Sequence, residues 1–267
     1  MLRQRVITAV VLLALLLPAL LADSPLPFAV FTLLLISAAG WEWARLNGFG
    51  ATLPAVGSGL LLGALCAISL QHLPEMGQAG GLWAAGALAW ILGGALVLRS
   101  GPAGWPQWPA LLRWALGLAL LWLAWAALAH ARKIGVNFLL SVMCVVWVAD
   151  ISAYFCGRAF GRKKLAPTIS PGKTWEGVYG GATGVLLLAI GWMWVESQFN
   201  TDSASVFRLL RQGLGWGGLL LAALLLTALS VMGDLFESLV KRAAGAKDSS
   251  ALLPGHGGVL DRVDALL

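Results

Sequence analysis

Residues 136–156 read VNFLLSVMCVVWVADISAYFC, a run in which Asp150 is the single charged side chain. A helix of about 20 mostly apolar residues can cross the hydrocarbon layer of a bilayer. Comparable runs recur along the whole chain. The candidate spans are 6–22, 25–40, 52–70, 79–98, 109–130, 136–156, 178–196 and 216–234. The sequence therefore predicts an all-α, polytopic integral membrane protein with about eight transmembrane helices.

The composition supports this class and excludes others. The chain has 267 residues, of which 59% are hydrophobic and only 11% are charged, whereas an ordinary soluble domain has about 25% charged residues. So few charges cannot cover the surface of a soluble enzyme, and a disordered or collagen-like chain is excluded as well. The formal net charge is +6, but the basic residues sit in loops between apolar runs, where they set membrane orientation. The charge therefore does not indicate a nucleic-acid partner.

The Lys and Arg residues also predict the orientation. If the N-terminus is cytoplasmic and all eight segments cross, thirteen of the 18 basic residues lie on the inner side, as the positive-inside rule favours. The stretches 157–177 and 235–267 then both face the cytoplasm. We therefore expect an inner-membrane protein of the bacterial type, with its N-terminus and its polar site cytoplasmic.

The first segment has an alternative interpretation as a cleaved signal peptide, because Arg3 and Arg5 precede its apolar run. That run is longer than a usual signal-peptide core, and Leu20-Leu21-Ala22 is a poor cleavage site. We favour a retained helix.

The acidic residues divide the chain into two parts. Only three of the twelve Asp and Glu residues lie in the first 149 positions. We therefore interpret 1–135 as a transmembrane scaffold and 136–267 as the region that carries the chemistry.

The loop 157–177, GRAFGRKKLAPTISPGKTWEG, holds five cations and four glycines. Cations and backbone N–H groups in a bendable loop can bind phosphate. The alternative interpretation is a positively charged loop that only fixes the membrane topology. We predict anion binding here by Ser170, Lys173 and Thr174. Asp150, just before the loop, is either a functional carboxylate in a polar cavity or an interfacial residue. Glu176 is expected to cap or pair with the loop.

The stretch 230–264, SVMGDLFESLVKRAAGAKDSSALLPGHGGVLDRVD, holds the densest group of charges. Asp234, Glu237, Ser238 and Lys241 have the spacing of one helical face. A glycine-rich turn follows, and then come two aspartates three positions apart. Carboxylates without His or Cys partners at such spacing suit a hard cation such as Mg²⁺, and the neighbouring cations suit a phosphate-bearing substrate.

These residues resemble the phosphatidate cytidylyltransferase (CDP-diacylglycerol synthase) family. Its signature runs S-x-x-K-R-x4-K-D and then P-x-H-G-G-x-x-D-R-x-D. Every fixed position is filled, by Ser238, Lys241, Arg242, Lys247, Asp248, Pro254, His256, Gly257, Gly258, Asp261, Arg262 and Asp264. Members of this family usually continue into a further apolar segment. We therefore expect either that this protein lacks the ninth helix or that the sequence is truncated before it, at Leu267.

The resemblance implies a membrane-embedded, CTP-dependent nucleotidyltransferase that makes CDP-diacylglycerol and pyrophosphate from CTP and phosphatidate in phospholipid biosynthesis. It also implies a homodimer in the lipid bilayer and a site with Mg²⁺, for which we expect two ions. The expected metal ligands are Asp234, Asp248, Asp261 and Asp264. The expected catalytic residues are Lys241, Arg242, Lys247, His256 and Arg262. The expected substrate-binding residues are Asp150, Ser170, Lys173, Thr174 and Ser238.

Two questions stay open at the level of sequence. His256 can donate a proton or hydrogen bond to leaving pyrophosphate, or it can brace the glycine turn through a backbone carbonyl. A transporter is the main alternative function, because broken apolar helices and an intramembrane Asp are common in transporters. Two further alternatives fit less well: the alcohol phosphotransferases that consume CDP-diacylglycerol have a pattern that this chain lacks, and a pure scaffold leaves the acidic cluster without a purpose.

Overall fold

The computed structural model describes residues 2–50, 52–72 and 80–264. Within these ranges, eight helices are long and apolar enough to cross a membrane, which confirms the predicted all-α, multi-spanning architecture. They are α1 Leu2–Leu21, α2 Leu26–Leu46, α3 Thr52–Ser69, α4 Gly80–Gly104, α5 Ala110–Ile134, α6 Val136–Phe160, α7 Trp175–Gln198 and α8 Val206–Ala243. A short helix, α9, follows at Leu260–Val263.

Most helices are longer than the apolar cores that predicted them. The clearest case is α8, predicted at 216–234 and observed at Val206–Ala243. The reason is physical: hydropathy marks the part that suits hydrocarbon, whereas the polar ends can stay helical in the headgroup layer or in water. Near the start of α8, Gly215 has a φ of 69°, so two helical segments meet there at a kink.

The basic loop between α6 and α7 folds into a small antiparallel hairpin. Its strands are β1 Lys164–Ala166 and β2 Ser170–Thr174. Lys164 pairs with Thr174, and Ala166 pairs with Ser170. The Thr174 hydroxyl accepts a hydrogen bond of 3.2 Å from the Gly177 N–H group and so caps the start of α7. The loop is therefore a shaped element whose last residue fixes where the next helix begins.

The chain divides into two compact units. One comprises 134–235, and the other comprises the residues up to 133 together with 236–264. In the unit 134–235, α6 and α7 approach each other through glycines. A Cβ at Gly181 would lie 2.9 Å from the Ala149 carbonyl oxygen, and one at Gly184 would lie 2.2 Å from the Ser152 hydroxyl oxygen. Small residues permit such close helix packing in a membrane.

In the other unit, the core is aromatic. The ring of Phe236 lies 5.1 Å from that of Trp90, 5.5 Å from that of Trp105 and 6.0 Å from that of Trp43. Offset and edge-to-face pairs at these distances stabilise a core beyond the area that they bury. Phe236 lies in the part of α8 that leads into the closing segment, so this packing anchors the start of 236–264 in the unit.

Candidate active site

The hairpin lines a cavity of about 490 Å³ within the unit 134–235. This volume falls within the range of about 300–1,000 Å³ that small-molecule sites occupy. Four of the residues predicted to bind substrate line this hairpin cavity: Asp150, Ser170, Lys173 and Thr174. Asp234, a predicted metal ligand, lines it too. The structure thus brings together residues that the sequence analysis selected from separate stretches.

The charges of the hairpin cavity are paired. The Lys173 ammonium makes an ion pair with the Asp234 carboxylate, and both side chains stay about one quarter exposed, at 24% and 26%. Asp150 is exposed and lines the same cavity. A cation and two carboxylates at the mouth of one cavity can bind a phosphate and a divalent cation together.

Arg158 and Tyr154 also line the hairpin cavity. The Arg158 guanidinium donates a 3.3 Å hydrogen bond to the Tyr154 hydroxyl, and both residues are exposed. Arg158 therefore adds a second cation, one that the sequence analysis counted only as part of a basic loop.

Glu176 performs the structural role expected of it. Its carboxylate accepts hydrogen bonds from the backbone N–H groups of Arg162, at 3.1 Å, and Lys163, at 3.2 Å. It therefore fixes the entry into the hairpin.

The second group of predicted residues lies around Asp261, in the unit that contains 236–264. We call Glu42, Glu237, Lys241, Ser249 and Asp261 the signature cluster. One Asp261 oxygen accepts hydrogen bonds from the Ser249 N–H and hydroxyl groups, both at 2.9 Å, and from the Gly258 N–H group at 2.7 Å. A carboxylate bonded in this way holds the two ends of the glycine turn together.

The same contacts keep Asp261 ionised. Burial alone would raise the pKa of Asp261, but hydrogen bonds from the Lys241 ammonium and from backbone N–H groups outweigh that effect and hold the pKa at about 2. Hydrogen bonds to the charged form of a carboxyl favour that form. Asp261 is therefore an anion at any physiological pH.

Lys241 lies between two carboxylates. Its ammonium is 2.6 Å from Asp261 and 2.5 Å from Glu237. The Lys241 side chain is only 12% exposed. We predicted that this ammonium neutralises phosphate. In the structure it joins α8 to the closing segment, and its contact with phosphate stays a prediction.

Glu42 is a residue that the sequence analysis missed, because it assigned the first 135 residues to a scaffold. This α2 side chain is fully buried. Its carboxylate accepts bonds from the Ser249 and Ser250 hydroxyls, at 3.2 and 2.5 Å, and from the N–H groups of Val259 and Leu260, at 2.9 and 2.7 Å.

A signal for Glu42 was present in the sequence. It is one of only three acids in the first 149 residues, and it stands between two tryptophans directly after an apolar run. A buried charge is rarely retained without partners. That rule could have marked Glu42 as a residue with a specific polar partner, although not which partner.

Glycine is required where Glu42 approaches the turn. A Cβ at Gly258 would lie 2.0 Å from the Ser249 hydroxyl oxygen and 2.4 Å from a Glu42 carboxylate oxygen. Gly257 has a φ of 84°, which disfavours any side chain.

From α1, Arg5 donates to the Gly255 carbonyl at 2.9 Å and Thr8 donates to the Pro254 carbonyl at 3.0 Å. Helix α1 thereby contacts the glycine turn of this unit.

The remaining signature residues take varied positions. Arg262 donates two hydrogen bonds, at 2.6 and 3.1 Å, to the backbone carbonyl of His256. Within the described ranges, the His256 Nδ1 atom is buried and has no hydrogen-bond partner. The turn is therefore braced by Arg262 and not by this nitrogen of the imidazole.

Arg242, Lys247 and Asp248 are exposed. Arg242 donates to the Ala246 carbonyl at 3.3 Å and so satisfies a carbonyl beyond the end of α8. Ser238 and Asp264 are partly buried, and each interacts with other residues of the protein. Lys247 is thus the predicted phosphate-binding cation with the greatest freedom to meet a ligand.

The expected magnesium can be tested against these positions. Among the described residues, no group of three or more His, Cys, Asp or Glu side chains is arranged to hold a metal ion. Asp261 is engaged by protein donors, and Asp234 pairs with Lys173. The residues therefore do not form a closed protein cage. They do fit the way in which proteins usually coordinate Mg²⁺: one or two carboxylates bind the ion, and water and substrate phosphates complete its coordination shell.

Comparison with known proteins gives the family. Residues 3–267 match a family model described as the cytidylyltransferase family. A phosphatidate cytidylyltransferase from Pseudomonas aeruginosa is 41% identical over all of this chain and 93% of its own length. One from Haemophilus influenzae is 35% identical over all of this chain and 95% of its own length. One from Brucella melitensis is 45% identical over 60% of this chain and 53% of its own length. This multi-spanning chain belongs to the cytidylyltransferase family.

Proposed function

We propose that this protein transfers the cytidylyl group of CTP to phosphatidate, forming CDP-diacylglycerol and pyrophosphate. The observation that carries the proposal is the end-to-end similarity to relatives named phosphatidate cytidylyltransferase. The hairpin cavity supplies charges of the kind that such a reaction needs. A transporter needs none of the signature residues, so it is the weaker interpretation.

The chemistry follows from the substrates. An oxygen of the phosphatidate phosphate attacks the α-phosphorus of CTP. A new P–O bond forms, the bond to the bridging oxygen breaks, and pyrophosphate leaves with that electron pair. The nucleophile is already an anion, so no strong protein base is required. Positioning and positive charge must do most of the work.

We assign phosphate binding to the hairpin cavity. Lys173 and Arg158 present cations there, and the Ser170 and Thr174 side chains are at its wall. Apolar side chains of the same wall, such as Val178 and Val231, are suited to the glycerol or acyl part of a lipid. In the other unit, the exposed Lys247 and Arg242 are separate candidates for binding phosphate.

We assign three further groups of residues to this reaction. Asp234 is a candidate ligand, at the hairpin cavity, for an ion carried by the nucleotide. Asp248 and Asp264 of the closing segment are further candidates from the family resemblance. Mg²⁺ bound there would neutralise charge on the triphosphate. Asp261, Lys241 and Glu42 hold the shape of the turn. His256 is suited to donate a hydrogen bond to leaving pyrophosphate, since Arg262 and not Nδ1 braces the turn.

We further propose the location and the assembly. The distribution of basic residues supports an inner-membrane protein whose N-terminus, hairpin and closing segment face the cytoplasm, where CTP is found. The family resemblance supports a homodimer. Light scattering of the purified protein, corrected for bound detergent, would measure the mass of the assembly, and a monomer mass would refute the dimer.

The reaction is tested with the full chain in detergent, labelled CTP, phosphatidate and Mg²⁺. We expect labelled CDP-diacylglycerol and an equal amount of pyrophosphate, and we expect chelation of divalent ions to stop both. The absence of product from folded protein would refute the function. Lys173→Ala should reduce turnover by at least about tenfold, because an unpaired phosphate in a partly dry site loses a charge-assisted bond.

The matched control is Lys163→Ala. Lys163 is exposed and belongs to the same loop, but it is not among the residues that line the cavity. Its backbone bond to Glu176 does not depend on its side chain. Equal losses in the two variants would show that general loop charge matters and would remove Lys173 from the site.

A further inference from the structure

A second cavity, of about 320 Å³, lies in the unit 134–235 at the end of α7 that is remote from the hairpin. The hairpin cavity involves Gly177 at the start of α7, and the second cavity involves Ser197 near its end. At a rise of 1.5 Å for each residue, these positions are about 30 Å apart along the helix. That is the thickness of a hydrocarbon layer, so the second cavity lies at the opposite membrane face.

The lining of this second cavity has two kinds of surface. Ile190, Met193 and Trp194 form an apolar wall along α7, whereas Arg208 and Arg211 supply cations from the start of α8. Trp194 and Trp216 are 66% and 60% exposed. Exposed tryptophans at the end of a spanning helix are typical of the headgroup layer of a bilayer.

The two arginines are directed outward. Arg208 is 3.6 Å from Glu196, but that carboxylate is only 2% exposed and already accepts the Ser205 N–H and hydroxyl groups, at 3.0 and 2.6 Å. The Arg208 side chain stays 48% exposed. Its charge is therefore only partly compensated from within the protein.

Arg211 lacks even this partner. Its guanidinium lies over the Trp216 ring, 5.1 Å from the centroid, and no acidic side chain of the described residues pairs with it. Stacking holds the guanidinium in place and leaves its N–H groups free to donate. The kink at Gly215 separates the segment that carries both arginines from the apolar continuation of α8.

From this arrangement we infer that the second cavity binds an anionic glycerophospholipid, with its phosphodiester on Arg208 and Arg211 and an acyl chain along the wall of α7. Arginine forms paired hydrogen bonds with phosphate. No acid is among the lining residues, so an amine-bearing headgroup finds no counter-charge. The site lies about 30 Å along α7 from the proposed chemistry, and the inference does not depend on the proposed reaction.

The test is native mass spectrometry of the full chain released from detergent after titration with phosphatidylglycerol. We expect the wild-type protein to retain one lipid. The double variant Arg208→Gln/Arg211→Gln should lower the affinity for phosphatidylglycerol by about 25-fold, because each basic residue contributes about fivefold at an anionic surface. Phosphatidylethanolamine should be retained much less. Retention of phosphatidylglycerol by the double variant at the wild-type level would overturn the inference.

Two controls complete the experiment. Arg45 is another arginine stacked on a tryptophan, with its guanidinium 4.7 Å from the centroid of the Trp41 ring, and it lines neither cavity. Arg45→Gln should therefore leave lipid retention unchanged. Inorganic phosphate at millimolar concentration should not displace the lipid, and its displacement of the lipid would assign the site to soluble anions instead. If the double variant does not fold, Arg211→Gln alone gives the test, because Arg211 contacts the Trp216 ring and no buried carboxylate.

Discussion

The buried Glu42 carboxylate accepts two hydroxyl and two backbone N–H hydrogen bonds, so its charge is held entirely by the closing segment. It is separated from Ser249 by 207 positions. No local pattern could reveal that pairing, because it depends on how α2 packs in its unit. Glu42 acts through the turn and not on a substrate, which makes it a positioning residue.

We predict that Glu42→Gln destabilises the protein by about 1–3 kcal/mol, because an amide presents N–H groups to buried N–H donors. Turnover should fall, since the turn that carries His256 loosens while the hairpin cavity is intact. Thermal unfolding and steady-state kinetics measure the two effects. Glu42→Asp should restore part of both, because it restores the charge.

Glu196→Gln is the matched control for this prediction. Glu196 is also buried and also accepts hydrogen bonds from a serine, Ser205. It should lower stability to a similar extent and leave the turnover of the folded protein unchanged. Equal loss of turnover in the two variants at equal stability would assign Glu42 a purely structural role.

Among the elements, α6 depends on a cap from outside the helix. Asp202 accepts hydrogen bonds from the N–H groups of Val136, at 2.5 Å, and Asn137, at 3.0 Å. Burial alone would raise the pKa of Asp202, but these bonds outweigh it and lower the pKa below its usual value. A carboxylate at a helix N-terminus is favoured by the helix dipole as well.

The Asp202 cap should therefore stabilise α6 in a pH-dependent manner. Because the folded pKa is depressed, the contribution is complete above about pH 4, the usual Asp pKa, and is lost as the pH falls through the folded value. Asp202→Ala should cost about 0.5–2 kcal/mol at pH 7. The difference from wild type in thermal unfolding should shrink below pH 4, and a difference independent of pH would contradict the role of the charge.

Packing between α6 and α7 can be tested with two glycines of the same helix. We predict that Gly181→Ala destabilises the protein, because its Cβ would lie 2.9 Å from the Ala149 carbonyl oxygen and backbone cannot move aside cheaply. Gly191→Ala meets nothing within 4 Å and should be neutral or slightly stabilising through helix propensity. Thermal unfolding of both variants in the same detergent gives the comparison.

The elements show which features the sequence can predict. Apolar runs located all eight spanning helices, since hydrophobicity acts locally along the chain. They placed the start of α8 ten residues late, at 216 instead of Val206, because Arg208 and Arg211 interrupt the apolar pattern before 216. The hairpin could be anticipated only as a shaped turn, and the ion pair of Lys173 with Asp234 could not be anticipated at all, since it joins positions brought near by tertiary packing.

For the whole molecule, function requires that the hairpin faces the compartment that holds CTP. Thirteen of the 18 basic residues fall on one side if eight helices cross, and an excess of this size is what normally fixes orientation during insertion. We therefore propose two roles for the five cations of 157–177: they hold this loop in the cytoplasm, and those at the cavity bind phosphate.

The orientation can be measured in intact bacterial cells with single cysteines. After replacement of Cys66, Cys144 and Cys156 by alanine, we introduce Lys163→Cys in the hairpin or Arg211→Cys at the far end of the unit 134–235. Both positions are exposed. A membrane-impermeant maleimide should label the cysteine at 211 in intact cells and should label the one at 163 only after the membrane is opened, because a charged reagent cannot cross the hydrocarbon layer. The reverse pattern would place the hairpin outside, where CTP is not supplied, and would contradict both the orientation and the proposed reaction. Labelling of both positions in intact cells would show that α7 does not cross the membrane.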